Sequence, residues 1–482
     1  MSNLKILARA SLGFLLALQV LGTGSTILFS QTANAVLGTV TDSAGAVMPG
    51  ASVRVRNIDT GVTQSAVTDG AGRYRVANLS IGNYEVEATT PGFKTMVRRP
   101  VKLGVGGSVR VDFSLEVGPS DERFFVESSI PLVETHSPAV SSISSFDERQ
   151  LQTLPLNGRN LSELVTMNPG VLAVMANTPV APTFLGQNGS VDILGAGEGH
   201  SVSGARTEGQ AYLLDNTNIQ GFWNRGIGSG ALGTSLGVES IAGLQVLTSS
   251  YGAEFGGNGS VVNIATKSGT NSFHGSVYEF LRNSALNARY FFDNARLPFR
   301  GNQFGASLGG PIKEERLFFF FNYEGLRQAQ SQTAVAFVPD TDIHRGILPG
   351  LSSPIAIHPS IRPILDLYPL PNGSNFGGGV GEYRNAADSL AHENYFLGRV
   401  DWAMSSRDSI FARYVSDRGD SVRSFGGSAI PLWPEQDQTA NQYFTLQARR
   451  IISPSFINAG DRSAPPASCS SATAGSTSSK TA

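Results

Sequence analysis

The sequence predicts a mainly β protein with three parts: a small β-sandwich, an α+β segment, and a run of long amphipathic strands. Glycine accounts for 55 of the 482 residues and charged residues for only 15%, a composition that favours turn-rich β structure over helical bundles. Short alternating strands recur before residue 118. After residue 270 most of the strands approach the ~9–11 residues with which a tilted strand crosses a bilayer.

Composition excludes several functions. The net charge of −2 gives no electrostatic basis for binding nucleic acid, so no nucleic-acid partner is predicted. Cys469 is the one cysteine, and the chain therefore forms no internal disulfide and no cysteine-based metal site. We find no Ser/His/Asp set, no HExxH motif and no supported carboxylate pair. The sequence thus predicts no catalytic site, no metal and no cofactor.

Residues 1–35 have the pattern of an export signal. Basic residues precede a mostly apolar stretch at 11–29, and Ala33 and Ala35 form a small-x-small cleavage site. We expect the mature chain to begin at Val36. The alternative is an uncleaved membrane anchor, because the apolar stretch is long.

Residues 36–117 are predicted to fold as a β-sandwich of about seven short strands. Val53 and Val55 alternate with Arg54 and Arg56, and an Asp-Gly-Ala-Gly turn marks a hairpin. The runs GTVTDSAGAVMPGASVRV, TDGAGRYRVANLSIGNYEV and PGFKT resemble the carboxypeptidase regulatory-like domain. That resemblance implies a prealbumin-like sandwich that is non-catalytic and similar to carbohydrate-binding sandwiches.

Residues 118–269 mix strands with short helices. Strands are predicted at Ile241–Leu247 and at 260–266, with a glycine-rich turn region between them, and 171–199 is predicted to be loop. The glycine-rich run YGAEFGGNG lacks GK[ST] and opens no helix, so it is not a phosphate loop. The singled-out residues are LPLNGRN (Leu154, Pro155, Leu156, Asn157, Gly158, Arg159 and Asn160) and, in the turn region, Tyr251, Gly252, Gly256 and Gly257.

Residues 270–460 contain six predicted membrane strands, at 272–282, 302–312, 317–327, 394–403, 409–417 and 441–451. Apolar and polar residues alternate along them, as in Phe396, Val400 and Trp402 against Arg399 and Asp401. The gaps run long, short, long, short, long, which is the loop rule of outer-membrane barrels. Residues 461–482 have no strand period and are predicted to be an aberrant tail.

The runs PLVETHSPAVSSISSFDERQLQTLPLNGRN, GARTEGQAYLLDNTNI and GVESIAGLQVLTSSYGAEFGGNGSVVNIATKSGTN resemble the plug domain of TonB-dependent outer-membrane receptors. The closer similarity is to the Oar-like subgroup, which carries an N-terminal carboxypeptidase-like domain. The resemblance implies a plug at 118–269 inside a barrel of 22 strands. Six strands cannot enclose such a plug, so we expect a C-terminally truncated or frame-shifted form of a longer gene.

The resemblance implies a TonB-type energy-coupling partner. Arg123, Phe124, Phe125, Val126 and Glu127 form a candidate TonB-contact strand. It departs from family runs such as TVTVT, so a contact segment near the mature N-terminus and an ordinary plug strand stay open as alternatives.

The expected function is energy-coupled uptake of a ligand into the periplasm. Iron chelate, oligosaccharide and peptide all fit as the extracellular ligand. The expected location is the outer membrane of a Gram-negative-type bacterium, in contact with its lipid, with the sandwich in the periplasm. One alternative is a surface binding or adhesion protein without transport. The other is a secreted carbohydrate-processing enzyme, which the missing catalytic residues disfavour.

Overall fold

The structure is a computed structural model. It describes residues 34–127, 143–174 apart from 155, 157 and 158, 199–221, 227–228, 235–248, 259–289, 296–424, 429–453 apart from 433, and 456–464. No helix within these ranges has the length and apolar character needed to cross a membrane.

The N-terminal strands form two sheets packed face to face. One sheet has the order β4-β1-β7 with β8 also on β1, and the other has the order β3-β2-β5-β6-β9. Val53, Val55, Val86 and Phe113 are buried between them, as the alternation of valine and arginine predicts. The strands are β1 (Ala35–Asp42), β2 (Ser52–Asn57), β3 (Thr63–Val67), β4 (Arg73–Ala77), β5 (Gly82–Thr89), β6 (Thr95–Leu103), β7 (Ser108–Arg110), β8 (Phe113–Leu115) and β9 (Arg123–Glu127).

The segment predicted as a plug is built on a five-stranded sheet of order β10-β15-β16-β13-β14. Its first helix begins in a capping box, in which Asp147 Oδ1 accepts from the Gln150 amide and the Gln150 side chain accepts from the Asp147 amide, both at 2.9 Å. The elements are β10 (Ile143–Asp147), α1 (Glu148–Thr153), α2 (Ser162–Thr166), β11 (Val171–Val174), β12 (Gly199–Val202), β13 (Ala211–Leu214), β14 (Thr217–Asn218), β15 (Ile241–Leu247) and β16 (Val261–Thr266), with 3₁₀ turns at Thr207–Gly209 and Val238–Ser240.

The remaining strands form one antiparallel sheet, the barrel sheet, of order β17-β18-β19-β21-β22-β23-β24 with β20 on β21. Within the described residues β17 and β24 do not pair, so the sheet is open. Its elements are β17 (His274–Asn283), β18 (Phe299–Lys313), β19 (Leu317–Pro339), α3 (Thr341–His344), α4 (Arg362–Leu365), β20 (Asn375–Gly377), β21 (Val380–Ala403), β22 (Asp408–Arg423), β23 (Glu435–Ser453) and β24 (Phe456–Ala464), with a 3₁₀ turn at Ser284–Leu286.

The register of the barrel sheet separates an apolar face from a polar one. Val400 lies opposite Phe319 and Ala412, so these side chains share the outer face. Arg399 lies opposite Arg413 and shares the inner face, against which the plug segment packs. The predicted alternation therefore places apolar residues outward, whereas the inner face is mixed, because Phe320, Leu397 and Val415 also point inward and are buried against the plug.

Several predicted bounds differ from the structure. β19 continues to Pro339 and β21 already begins at Val380, so much of the predicted gap at 328–393 is strand. In the β19 extension the residues at 334–338 are apolar on both faces, so the alternation that marks a membrane strand is lost there. β24 continues past 460 to Ala464. The predicted loop at 171–199 is wrong at both ends, because β11 and β12 pair there.

We predict that Val400→Arg destabilises the folded barrel sheet in lipid by about 2–4 kcal/mol, because it places a guanidinium in the apolar band. Val422→Arg is the matched control, since Val422 shares the outer face at the far end of β22 and should cost only about 0–1 kcal/mol. Urea titration of the full chain folded into lipid vesicles measures both. Equal costs would show that the outer face does not meet lipid as assigned.

Candidate functional site

The candidate site is the contact between the plug segment and the inner face of the barrel sheet. Charged side chains are almost never fully buried unless they are paired. This contact buries several of them. The inner-face positions of β19, β21, β22 and β23 carry the residues that meet the plug: Glu324, Tyr395, Arg399, Arg413, Thr445 and Tyr443.

A tight hairpin in the plug carries one carboxylate to the barrel wall. Asp215 and Asn216 connect β13 to β14, and their φ angles are 42° and 66°. Positive φ at both central residues is the mark of a type I′ hairpin turn, for which Asp and Asn are favoured. Asp215 is thereby held beyond the end of β13, where its side chain reaches the inner face of the barrel sheet.

Asp215 joins two arginines of the barrel sheet in a cluster that we call the Asp215 cluster. Its carboxylate accepts from Arg413 and lies 3.5 Å from Arg399. Arg413 also donates to the Leu214 carbonyl at 2.9 Å and to Thr445 Oγ1 at 2.8 Å, and its side chain is fully buried. The plug therefore both covers the Arg413 guanidinium and supplies the carboxylate that pairs with it.

A second carboxylate and a threonine complete the cluster. Arg399 makes a two-pronged pair with Asp401, both contacts at 2.8 Å. Thr266 Oγ1 donates to Asp215 at 2.6 Å and accepts from Arg399 at 2.8 Å. Two guanidinium groups thus face two carboxylates, and the hydroxyl of β16 bridges plug and wall.

The pKa of Asp215 reflects this balance. Burial acts to raise it, but the Arg413 and Arg399 guanidiniums and two hydrogen bonds from Thr266 outweigh burial and hold the pKa below its ordinary value of 3.8. A lowered carboxyl pKa contributes stability that is present above the ordinary value and is lost as the pH falls through the folded-state pKa. The contribution of Asp215 to the plug contact is therefore lost in acid, as the pH falls below the ordinary carboxyl pKa of 3.8.

A second cluster, the Arg159 cluster, forms around the predicted LPLNGRN motif. Arg159 Nη2 lies 2.8 Å from Glu239 of the plug, and Nε lies 3.8 Å from Glu324 of the barrel sheet. The same guanidinium stacks over the rings of Tyr278 and Phe280, at 4.7 and 4.9 Å from their centroids. One plug arginine thus binds both a carboxylate of the wall and its aromatic side chains.

Close backbone approach supports this cluster. The Gly237 amide donates to Glu324 at 2.9 Å, and Gln303 donates to the other carboxylate oxygen at 2.6 Å. Gly237 has φ 96°, and a Cβ there would overlap the Tyr395 ring. Glycine is the residue that meets both demands.

The structure describes some of the residues that the sequence analysis singled out. Leu154 and Leu156 pack against the plug core. Asn160 is buried, and its side-chain oxygen accepts from the Ser162 amide at 3.2 Å, although the N-cap position of α2 is Leu161. The remaining predicted residues Ala33, Pro155, Asn157, Gly158, Tyr251, Gly252, Gly256 and Gly257 lie outside the described residues.

The candidate TonB-contact strand is β9, and it joins the sandwich. It pairs in parallel with β6 and lies at the edge of that sheet, apart from the plug sheet. Phe124 and Phe125 are about half exposed, at 54% and 49%, and Arg99 lies 4.7 Å above the Phe125 ring. Ala35, the second alanine of the predicted cleavage site, is the first residue of β1 and is buried. Cleavage after it remains a prediction.

The arrangement holds two surfaces together and offers no reactive group. Across the described ranges, no group of three or more His, Cys, Asp or Glu residues could hold a metal. Sequence reasoning missed Asp215, Glu324 and Glu239. The Asp-Asn turn between two short strands was a usable signal for Asp215, whereas no sequence feature indicated the partners of the two glutamates.

Comparison with known proteins identifies two domains. The outer membrane beta barrel domain matches residues 265–463, and the carboxypeptidase regulatory-like domain matches residues 35–116. The chain is similar to the TonB-dependent transporter Oar of Myxococcus xanthus, with 26% identity over 314 residues, covering 61% of this chain and 27% of that protein. It thus spans about a quarter of the length of that relative.

Solved structures of lower similarity include two receptors. The siderophore receptor PirA of Acinetobacter baumannii has 17% identity and a TM-score of 0.35, with 67% of this chain and 43% of that chain covered. A variant of the ferric enterobactin receptor PfeA of Pseudomonas aeruginosa has 15% identity and a TM-score of 0.35, with 68% and 45% covered.

We predict that Asp215→Asn lowers the stability of the plug contact by roughly 3–5 kcal/mol, because it leaves buried guanidinium charge uncompensated. Asp112→Asn is the control, since the Arg110–Asp112 pair is about half exposed on both sides and such pairs contribute about 0–1 kcal/mol. Hydrogen exchange of the amides in β13 and β16, followed in urea, measures the difference. Equal effects of the two substitutions would contradict the assigned role of Asp215.

Proposed function

We propose that this chain, whose residues 265–463 match the outer membrane beta barrel domain and whose residues 35–116 match the carboxypeptidase regulatory-like domain, is a TonB-dependent receptor of the outer membrane that serves energy-coupled uptake of a ligand. In this proposal the plug segment closes the lumen side of the barrel sheet. A TonB-type protein on the periplasmic side pulls on the chain and displaces the plug. No covalent step is involved.

The observation that carries the proposal is the polar contact between plug and wall. The Asp215 and Arg159 clusters fix the plug to the barrel sheet through ion pairs and hydrogen bonds, whereas a permanent contact of this size is more often apolar. At these two clusters ion pairs can be exchanged for water as the plug moves, while the apolar cluster that Phe320, Leu397 and Val415 of the wall form with the plug core favours its return. This suits a plug that is displaced and returns.

We propose β9 as the segment that receives the pull. It is an edge strand, so alternate N–H and C=O groups along its free side can pair with an added strand. Strand addition gives affinity through main-chain hydrogen bonds and specificity through side-chain contacts. The half-exposed Phe124 and Phe125 supply such contacts. The segment near Val36 is the competing position, although its residues are interior to the sandwich as β1.

The ligand is of unassigned chemistry, with iron chelate, oligosaccharide and peptide as the candidate classes. The segment that differs most from regular strand lies between β19 and β21, where α3, α4 and β20 form a long outer connection. Long connections of outer-membrane barrels face outward. We assign first contact with the ligand to this side, and the sandwich to the periplasm.

The proposal is tested by proline substitution in β9. Phe124→Pro and Phe125→Pro each remove one backbone donor, and in an edge strand one of two neighbouring donors faces the free side. We expect one of the two variants to weaken binding of the organism's TonB-type protein to the full chain about tenfold or more. The matched controls Phe124→Ala and Phe125→Ala keep the donors and should weaken binding less.

Biolayer interferometry on the purified chain measures these affinities. If both proline variants bind as the unsubstituted chain does, β9 is not the coupling strand and the segment near Val36 takes its place. If the unsubstituted chain does not bind the TonB-type protein at all, the adhesion alternative is favoured over transport.

A further inference from the structure

A cavity lies where the sandwich, the plug and the short-turn end of the barrel sheet meet. Its volume is about 240 Å³, far more than the ~10–15 Å³ that one ordered water needs. The sandwich contributes Asn57, Gln64 and Asn78 to its lining, and the barrel sheet contributes Gln447. The cavity exists only because the sandwich is docked against the other two parts.

The sandwich is docked at separate points. The Asn271 amide, ahead of β17, donates to the Asp59 carbonyl at 2.9 Å. Lys102 of β6 pairs with Asp147 of the plug at 2.6 Å. A Cβ at Gly243 of β15 would lie 2.8 Å from the Val105 side chain, so the two parts are in close contact there. These contacts position the sandwich wall of the cavity.

Buried amide groups in the lining lack partners. Gln447 is 1% exposed, and neither its Oε1 nor its Nε2 has a hydrogen-bond partner among the described residues. The same is true of Asn78 Nδ2, in a residue that is 9% exposed, and of Gln64 Oε1. A buried polar group without a partner costs free energy, so these groups indicate an occupant that satisfies them.

The orphan atoms define the chemistry of that occupant. They comprise two donors, Gln447 Nε2 and Asn78 Nδ2, and two acceptors, Gln447 Oε1 and Gln64 Oε1. A hydroxyl group both donates and accepts, so a molecule with several hydroxyls satisfies all four. The lining also contains charged residues: Arg399 and Asp401 pair with each other, and Arg407, Asp408 and Arg449 lie at the barrel-sheet side.

We propose that this cavity binds a hydroxyl-bearing small molecule of the size of a single sugar, held between the sandwich and the barrel sheet. Gln447 and Asn78 would contact it from opposite walls. Such a ligand stabilises the docked position of the sandwich, because it binds only when both walls are in place. The inference does not rest on energy coupling and stands or fails separately from the proposed function.

The test uses the full chain in lauryldimethylamine oxide, because detergents with sugar head groups would compete. Saturation-transfer NMR is recorded with glucose, galactose and mannose, and with diglycine as a neutral probe without hydroxyl groups. We expect at least one sugar to bind and diglycine not to bind. Gln447→Met should weaken sugar binding about tenfold or more. Added sugar should raise the thermal unfolding midpoint of the unsubstituted chain but not that of the Gln447→Met variant.

The stability of the Gln447→Met variant distinguishes a role of Gln447 in sugar binding from a role in folding. Because it removes an unpaired buried amide, Gln447→Met should fold at least as stably as the unsubstituted chain without sugar. Gln442→Met in the same strand is the matched control, since its side chain lies on the outer face, and it should leave sugar binding unchanged. The proposal is overturned if no sugar binds, if diglycine binds equally well, or if Gln447→Met binds sugar normally.

Discussion

The buried guanidinium of Arg413 is the constraint on which the other contacts depend. The backbone groups of a membrane sheet must be paired between strands, and long antiparallel strands achieve this between neighbours, although β17 and β24 leave the described sheet open. Strand alternation then forces every second side chain inward, and on β22 one of these is Arg413. A fully buried arginine needs a carboxylate nearby, and Asp215 of the plug supplies it. The burial of Arg413 and its pairing with Asp215 thus arise together where the plug meets the wall.

The same logic explains the shape of the plug. A type I′ turn carries Asp215 past the end of its strand, and a left-handed Gly237 allows the backbone to touch the wall at Tyr395. Both positions depend on backbone conformations that few residues adopt. The polar pairs at Asp215 and near Gly237 fix one position of the plug against the wall. Water can replace these interactions when the plug moves. That combination suits a part that must move.

Local sequence features predicted much of the fold. Alternation along the strands placed Val400 outward and Arg399 inward. The pairing of Asp215 with Arg413 spans 198 residues, and no spacing rule connects residues so far apart. β9 was equally suited to either neighbouring sheet, since an edge strand carries no residue pattern that names its partner. The candidate site therefore could not be assembled before the structure.

The most direct measurement is a double-mutant cycle on Asp215 and Arg413 in the full chain, with stability followed by hydrogen exchange of the plug sheet in urea. The two residues are in direct contact, so Asp215→Asn and Arg413→Gln should together cost less than the sum of their separate effects, with a coupling energy of about 2 kcal/mol or more. Effects that add to within about 0.5 kcal/mol would show that the plug is not held to the wall by this pair.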